Sequence, residues 1–100
     1  MVQATTPTFI LSLPETVDLS EAANVYFSLK QNGYTIEKSS SSLTVSAHSV
    51  SVYLTQADTI QLAEGTAQVQ LNWTYSGGSR ACSEIVEIPV SNNLLKRVVS

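Results

Sequence analysis

Hydrophobic and polar residues alternate along most of the chain. A period of two places successive side chains on opposite faces, which predicts β-strands with one face packed on a core. The clearest segments are 24–31 and 66–75, whose apolar positions all fall on one parity. Five further segments show a similar pattern over shorter stretches or are short apolar runs: 9–13, 34–38, 43–45, 50–54 and 80–90.

Turn residues separate these segments at regular intervals. Asn32-Gly33 is a strong signal for a two-residue hairpin, because both positions tolerate the positive φ of a type I′ turn. A Ser-Gly-Gly-Ser sequence at 76–79 predicts a second hairpin, and Pro14 ends the first strand. About seven short strands spaced in this way predict an all-β fold, an immunoglobulin-like two-sheet antiparallel sandwich formed by residues 1–91.

The polar segment 55–59 interrupts the strands and has two interpretations. Thr55, Asp58 and Thr59 could be the working groups of a site. Alternatively, Thr55 and Asp58 have the spacing of a capping box, which predicts one helical turn near 56–60 in a connection between the sheets. Ile60 or Leu62 would then close the end of the core. The crossover is the favoured interpretation, because sandwiches commonly carry such a turn.

The last residues, 92–100, differ from the strands and are treated as a separate tail. Its apolar residues, Leu94, Leu95, Val98 and Val99, would share one side of a short C-terminal helix. A helix of this length is unstable alone in water, so the tail is predicted to fray, pack on its own domain or meet a partner. A final strand is the alternative, because adjacent valines favour β-structure.

Composition and charge narrow the classes of partner. The chain has 100 residues, of which 13% are charged, and a net charge of −3. Nucleic acid and acidic membranes are disfavoured as partners, because both require clustered Lys and Arg. The N-terminus lacks a basic region followed by an apolar run, so neither a signal peptide nor a membrane span is predicted. The plain expectation is synthesis in the cytoplasm.

Catalytic and metal chemistry find little support in the sequence. One cysteine and one histidine leave no set of zinc ligands, and no cofactor is predicted. Cys82 falls on the parity of Val86, Ile88 and Val90, which predicts a buried and inert thiol. Ser49, His48 and Asp58 could be combined into a triad only on paper, because adjacent residues on a strand point to opposite faces. We therefore expect a surface histidine and no enzyme.

Three motifs carry a resemblance to a known class of proteins. They are Leu-Thr-Gln-x-x-Thr at 54–59, Gly-x-x-Gln-Val-Gln at 65–70 and Gly-Gly-Ser-Arg-Ala at 77–81. With the strands around them, the chain resembles small prophage-encoded structural and tail-module proteins of Gram-positive bacteria. More distantly, it resembles the N-terminal β-sandwich domain of phage upper-baseplate proteins. The resemblance implies a non-enzymatic structural module, associated with the virion, that binds other virion proteins or itself.

Two functional hypotheses remain open. The first is a phage-like structural module that associates through sheet edges and the tail residues Leu94, Leu95, Val98 and Val99. The second is a small module that binds a carbohydrate or a host-surface ligand through Tyr26 and Tyr53, the two aromatics predicted to be exposed, and through the amide-rich faces of the long strands. The sequence favours the first, because a sugar site needs an aromatic side chain beside convergent carboxylates or amides. The sequence alone does not place such a set on one surface.

Overall fold

Two antiparallel sheets face each other across one apolar core in the computed structural model, which describes residues 1–95 and 99. The smaller sheet has the strand order β1-β5-β4. The larger sheet has the order β3-β2-β6, with β7 and β8 paired to successive segments of the other edge of β6. The strands are β1 (Thr8–Ser12), β2 (Ala22–Gln31), β3 (Tyr34–Ser39), β4 (Leu43–Val45), β5 (Ser49–Tyr53), β6 (Gly65–Tyr75), β7 (Arg80–Cys82) and β8 (Val86–Val90).

The alternation of the sequence is confirmed in the long strands. Alternate residues are buried in the shared core from Val25 to Gln31 in β2 and from Ala67 to Trp73 in β6, while the residues between them face outward. Burial of each large aliphatic or aromatic side chain contributes about 1.5–3 kcal/mol, so this core is the main source of stability. The core residues with the least exposure are Phe27, Leu29, Val50, Val52, Leu54, Ala67 and Leu71.

The two predicted hairpins are also confirmed. Asn32 and Gly33 have φ values of 47° and 86°, as a type I′ turn requires, and Gln31 pairs directly with Tyr34. In the second hairpin the Tyr75 N–H donates to the Ser79 carbonyl (2.9 Å), closing the loop between β6 and β7. These local turns fix the registers of β2 with β3 and of β6 with β7.

Three connections carry the chain between the sheets. A 3-10 turn at Leu19–Glu21 precedes β2, and Ser40–Ser42 forms another between β3 and β4. The third is the helical turn α1 (Gln56–Thr59) between β5 and β6, with Thr55 as its N-cap. The predicted capping box is present, and Leu62 rather than Ile60 is fully buried at this end of the core. The segment 55–59 is therefore a crossover.

The prediction of one strand over 80–90 was wrong. β7 ends at Cys82 and β8 begins at Val86, so the sandwich has eight strands. The three residues between β7 and β8 shift the inward-facing positions by one. In β7 the odd-numbered Ala81 packs against the core and Cys82 is exposed, whereas in β8 the even-numbered Ile88 and Val90 face inward. The predicted burial of the Cys82 thiol was wrong for this reason.

The strand order matches an immunoglobulin-like sandwich. In that arrangement one sheet has the order A-B-E-D and the other C-F-G, with an added C′ strand in some members. Taking β1 as B reproduces B-E-D in the smaller sheet and C′-C-F-G in the larger one. Among the described residues no strand corresponds to A, the strand that would cover the outer edge of β1.

Candidate functional site

One side of the sandwich is open between the edges of the two sheets. β1 pairs only with β5, and β7 and β8 pair only with β6, within the part of the chain that the structure describes. The first residues of the chain cross this side at one end. There Val2 forms a parallel bridge with Ser91, and the Gln3 N–H donates to the Ser91 carbonyl (3.0 Å). Beyond that crossing, residues 1–95 and 99 leave this side open.

The open side contains an apolar cleft of about 500 Å³. β1 and the residues after it supply Leu11 and Leu13, β6 supplies Leu71 and Trp73, and β8 supplies Val86. Trp73 is buried, and its indole N–H donates to the Tyr75 hydroxyl (3.1 Å). The indole is thus fixed in the core below the cleft. A cleft of this size and polarity fits apolar side chains.

Ser83 produces the break between β7 and β8 that shapes one lip of this cleft. Its N–H donates to the Leu71 carbonyl, and its Oγ accepts from the Leu71 N–H, both at 2.9 Å. Gln70 Nε2 donates to the Ser83 carbonyl (2.9 Å). The Ser83 hydroxyl thereby takes the place of a backbone carbonyl as the acceptor for the Leu71 N–H. Val86, which follows this break, lines the cleft and is exposed, and its neighbour Ile85 is exposed as well.

The other lip is the free edge of β1. Ile10, at the centre of this strand, is 70% exposed on the outer face of the sheet. The segment 7–14 carries no charged residue. Natural proteins usually protect an edge strand with charges, prolines within the strand or a bulge, because its free N–H and C=O groups can pair with another chain. β1 has none of these between Thr8 and Ser12.

The two tyrosines predicted to form an interaction surface lie far apart. Tyr26 lies on the outer face of the larger sheet and is half-buried. Tyr53 is 54% exposed and lies in β5, in the other sheet. Because the outer faces of the two sheets point in opposite directions, these aromatics cannot contact one flat ligand together.

The described part of the tail contacts the end of the sandwich near α1. Asn93 Nδ2 donates to the Gln3 carbonyl (2.9 Å), and the Gln56 side chain bonds both the N–H and the carbonyl of Val99. Leu94 is 96% exposed, and neither it nor Leu95 belongs to a helix or a strand. Val98 lies outside the described residues, together with Lys96, Arg97 and Ser100 of the tail.

A second surface feature is a polar recess of about 380 Å³ on the outer face of the larger sheet. Its residues come from β2, β3, β6 and β7. Arg80 Nη2 donates to Asn72 Oδ1 (3.0 Å), which orients both side chains. The recess is lined by Tyr26, Ser28, Glu37, Asn72, Thr74 and Arg80.

The structure does not bring a triad together. His48 is exposed, as predicted, and its Nδ1 lies 2.6 Å from the Val17 carbonyl. All of β5 separates it along the chain from Asp58. Burial acts to raise the pKa of Asp58, but the Thr55 amide, Lys38 and the Thr55 hydroxyl outweigh it and lower that pKa below its usual value. Asp58 Oδ2 accepts from the Thr55 N–H at 2.9 Å and lies 3.0 Å from Lys38 Nζ, so this carboxylate is part of the α1 cap.

Sequence reasoning missed both the exposed Ile10 edge and the recess. An uncharged apolar strand between Pro7 and Pro14 was a signal for an unprotected edge. The Asn32-Gly33 turn also implies that Ser28 and Glu37 are neighbours, which the structure shows as a direct pair. The alignment of β6 beside β2 had no comparable local signal.

Comparison with family models, with curated proteins and with solved structures gives no match for this chain. Within residues 1–95 and 99, no three His, Cys, Asp or Glu side chains are grouped as metal ligands would be. The same residues include no helix long and apolar enough to cross a membrane.

Proposed function

We propose that the protein is a non-enzymatic structural module that joins a second copy of itself through the free edge of β1. The observation that carries this proposal is the exposed, uncharged edge of β1 beside an open apolar cleft. Unpaired N–H and C=O groups along such an edge can extend a sheet into a second molecule. The exposed side chain of Ile10 would be covered by the same contact.

The sequence of β1 supports a second copy as the occupant. Thr8–Ser12 is nearly symmetric about Ile10, with a hydroxyl residue at each end and a large apolar residue on each side of the centre. Antiparallel pairing around a two-fold axis at Ile10 would place like beside like: Phe9 opposite Leu11 of the second copy, and Ile10 opposite Ile10. A two-fold contact of this kind is self-complementary.

Charge also supports self-pairing at this edge. The chain has a net charge of −3, so two copies repel each other over much of their surface. Segment 7–14 has no charge, so the repulsion between copies is least where β1 meets β1. A pairing of one short strand buries less area than a standard stable interface of about 1,600 Å². We therefore expect a concentration-dependent dimer, strengthened where many copies are held together.

The setting proposed for this module is the tail or baseplate of a phage or prophage virion. Its support is the sequence resemblance, whose motifs fall at the entry to α1, at the start of β6 and in the β6–β7 hairpin. These segments build the sandwich and leave the β1 edge outside the motifs. Other virion proteins are the further partners that this resemblance implies.

The test is the absolute mass in solution, measured by light scattering over a wide range of protein concentration. Ile10→Lys places a charge at the centre of the edge, and we expect it to abolish the dimer. Thr44→Lys is the matched control. Thr44 and Ile10 both pair with Ser51, so they occupy opposite ends of one row on the same face of the same sheet. This control should dimerise like the parent.

A second measurement tests whether the two β1 strands pair with Ile10 opposite Ile10. Ile10→Cys on a Cys82→Ser background should form a covalent dimer on oxidation, because directly opposite residues of antiparallel strands are about 4.5–5.5 Å apart at Cα, within the range of a disulfide. Thr44→Cys on the same background should remain monomeric. A parent protein that is monomeric at every concentration, or an Ile10→Lys variant that dimerises normally, would contradict self-pairing.

A further inference from the structure

The polar recess of the larger sheet is built from three successive rows of outward-facing residues. Ser28 pairs with Glu37 in the first row, Tyr26 with Asn72 in the second, and Thr74 with Arg80 in the third. Outward residues along a strand repeat about every 6.8 Å, so the rows span about 14 Å. The volume of about 380 Å³ lies within the usual range of small-molecule sites.

The lining of the recess combines one aromatic ring with donors and acceptors of hydrogen bonds. Tyr26 is half-buried and lines the recess, so its ring can offer an apolar surface to a ligand. Asn72 provides an amide, and Ser28 and Thr74 provide hydroxyls, each of which can donate and accept. Arg80 uses one nitrogen on Asn72 Oδ1 and retains further N–H groups toward solvent.

The charges in the recess argue for a neutral ligand. Glu37 and Arg80 contribute one negative and one positive charge. An anion would meet the carboxylate, a cation would meet the guanidinium, and a wholly apolar ligand would leave the amide and hydroxyl groups without partners. A neutral molecule with both apolar C–H faces and many hydroxyls satisfies every group. We infer that this recess binds a neutral carbohydrate, with Tyr26 under one face of a sugar ring.

The experiment is a titration followed by amide NMR of the ¹⁵N-labelled protein. The probes are the methyl glycosides of glucose, galactose and N-acetylglucosamine, with inorganic phosphate as a charged comparison. At least one glycoside should cause saturable shifts of amides in β2, β6 and β7 around the recess. A single shallow site predicts a Kd on the order of 1 mM. Phosphate should cause no saturable shift there.

Substitutions distinguish the contribution of the Tyr26 ring to binding from the contribution of the polar groups. Tyr26→Ala should weaken binding by up to about tenfold, the equivalent of losing one aromatic contact, whereas Tyr26→Phe should retain most of it. Asn72→Ala removes an amide without changing the core-facing side of β6, and it should also weaken binding. Tyr53→Ala is the matched control, because it removes an exposed tyrosine from the opposite sheet, and it should bind like the parent.

Several results would overturn the inference. One is that no glycoside produces saturable shifts at the recess. Another is that Tyr53→Ala weakens binding as much as Tyr26→Ala does, and a third is a site that prefers phosphate. The inference is independent of the proposed self-pairing, because β1 belongs to the other sheet. The Ile10→Lys variant should therefore bind the same glycoside with the same affinity as the parent.

Discussion

The capping box at the start of α1 allows a quantitative prediction about the crossover between the sheets. Thr55 Oγ1 accepts from the Asp58 N–H at 3.2 Å, and Asp58 Oδ2 accepts from the Thr55 N–H at 2.9 Å. The carboxylate also lies 3.0 Å from Lys38 Nζ. Removing the Thr55 hydroxyl, the Asp58 carboxylate or both measures what each side chain contributes and whether the two contributions are coupled.

The expected costs follow from the contacts. Thr55→Ala loses an N-cap hydrogen bond, which costs about 1 kcal/mol of unfolding free energy. In a domain of this size that lowers Tm by about 4–8 °C. Asp58→Ala loses a charge-assisted hydrogen bond and an ion pair. Because that pair is partly exposed, solvent screening limits its own contribution to at most about 1 kcal/mol, so the variant should cost about 2–3 kcal/mol in total.

The assay is urea unfolding of the parent, the single variants and the double variant. The two side chains act on each other's backbone, so the double variant should be more stable than the sum of the single costs predicts. Thr55→Ser keeps the hydroxyl and should retain nearly all of the stability. A Thr55→Ala variant as stable as the parent, or strictly additive costs, would refute the reasoning.

The lowered pKa of Asp58 adds a pH dependence to the same experiment. A carboxyl group whose pKa is lower in the folded state stabilises the fold above its unfolded pKa of about 3.9, and this contribution is lost as the pH falls through the folded value. The advantage of the parent over Asp58→Asn should therefore be full at neutral pH and shrink below about pH 4. A difference in stability independent of pH would show that the charge of Asp58 has no part in the cap.

Two further predictions concern buried and exposed polar groups. Gln31 is only 6% exposed, and its side-chain amide bonds both the N–H and the carbonyl of Ala63 (2.7 and 2.8 Å). Gln31→Ala should therefore lower the free energy of unfolding, measured in urea, by about 1–3 kcal/mol. The control Gln68→Ala, at an exposed position of β6, should cost much less. The Cys82 thiol should react with a thiol reagent in the native protein at the rate of an exposed cysteine. Reaction only after unfolding would contradict its position on the outer face of the larger sheet.

The sequence was sufficient for features that depend on neighbouring residues. The period-two pattern of β2 and β6, the Asn32-Gly33 turn and the Thr55–Asp58 cap are local, and each was predicted correctly. The break at Ser83 was not predictable in the same way. Its cause is the pair of hydrogen bonds between Ser83, in the connection from β7 to β8, and Leu71 in β6. Non-local contacts of this kind leave no periodic signal in either strand.

The candidate site depended on the same non-local information. The edge of β1 is exposed because of the order of strands in the sheets, and several orders are compatible with one set of strands. The recess likewise needs β6 aligned beside β2, so that Tyr26 meets Asn72. Tyr26 and the amide-rich faces of the long strands were identified from the sequence as candidates, but the sequence did not show which polar residues lie beside Tyr26.

If both occur, the pairing of β1 with β1 and the binding of carbohydrate in the recess would support each other, because the dimer fixes the relative orientation of two recesses. Antiparallel strands of one sheet are related by a two-fold axis perpendicular to that sheet, so pairing of β1 with β1 would keep the inner faces of both copies on the same side. The larger sheets would then lie side by side behind the joined smaller sheets, and both recesses would face the same direction. Two shallow sites held in this way bind a repetitive glycan surface more tightly than either site alone. The Ile10→Lys variant separates the effects: it should bind a free methyl glycoside like the parent but lose the added affinity for a densely glycosylated surface.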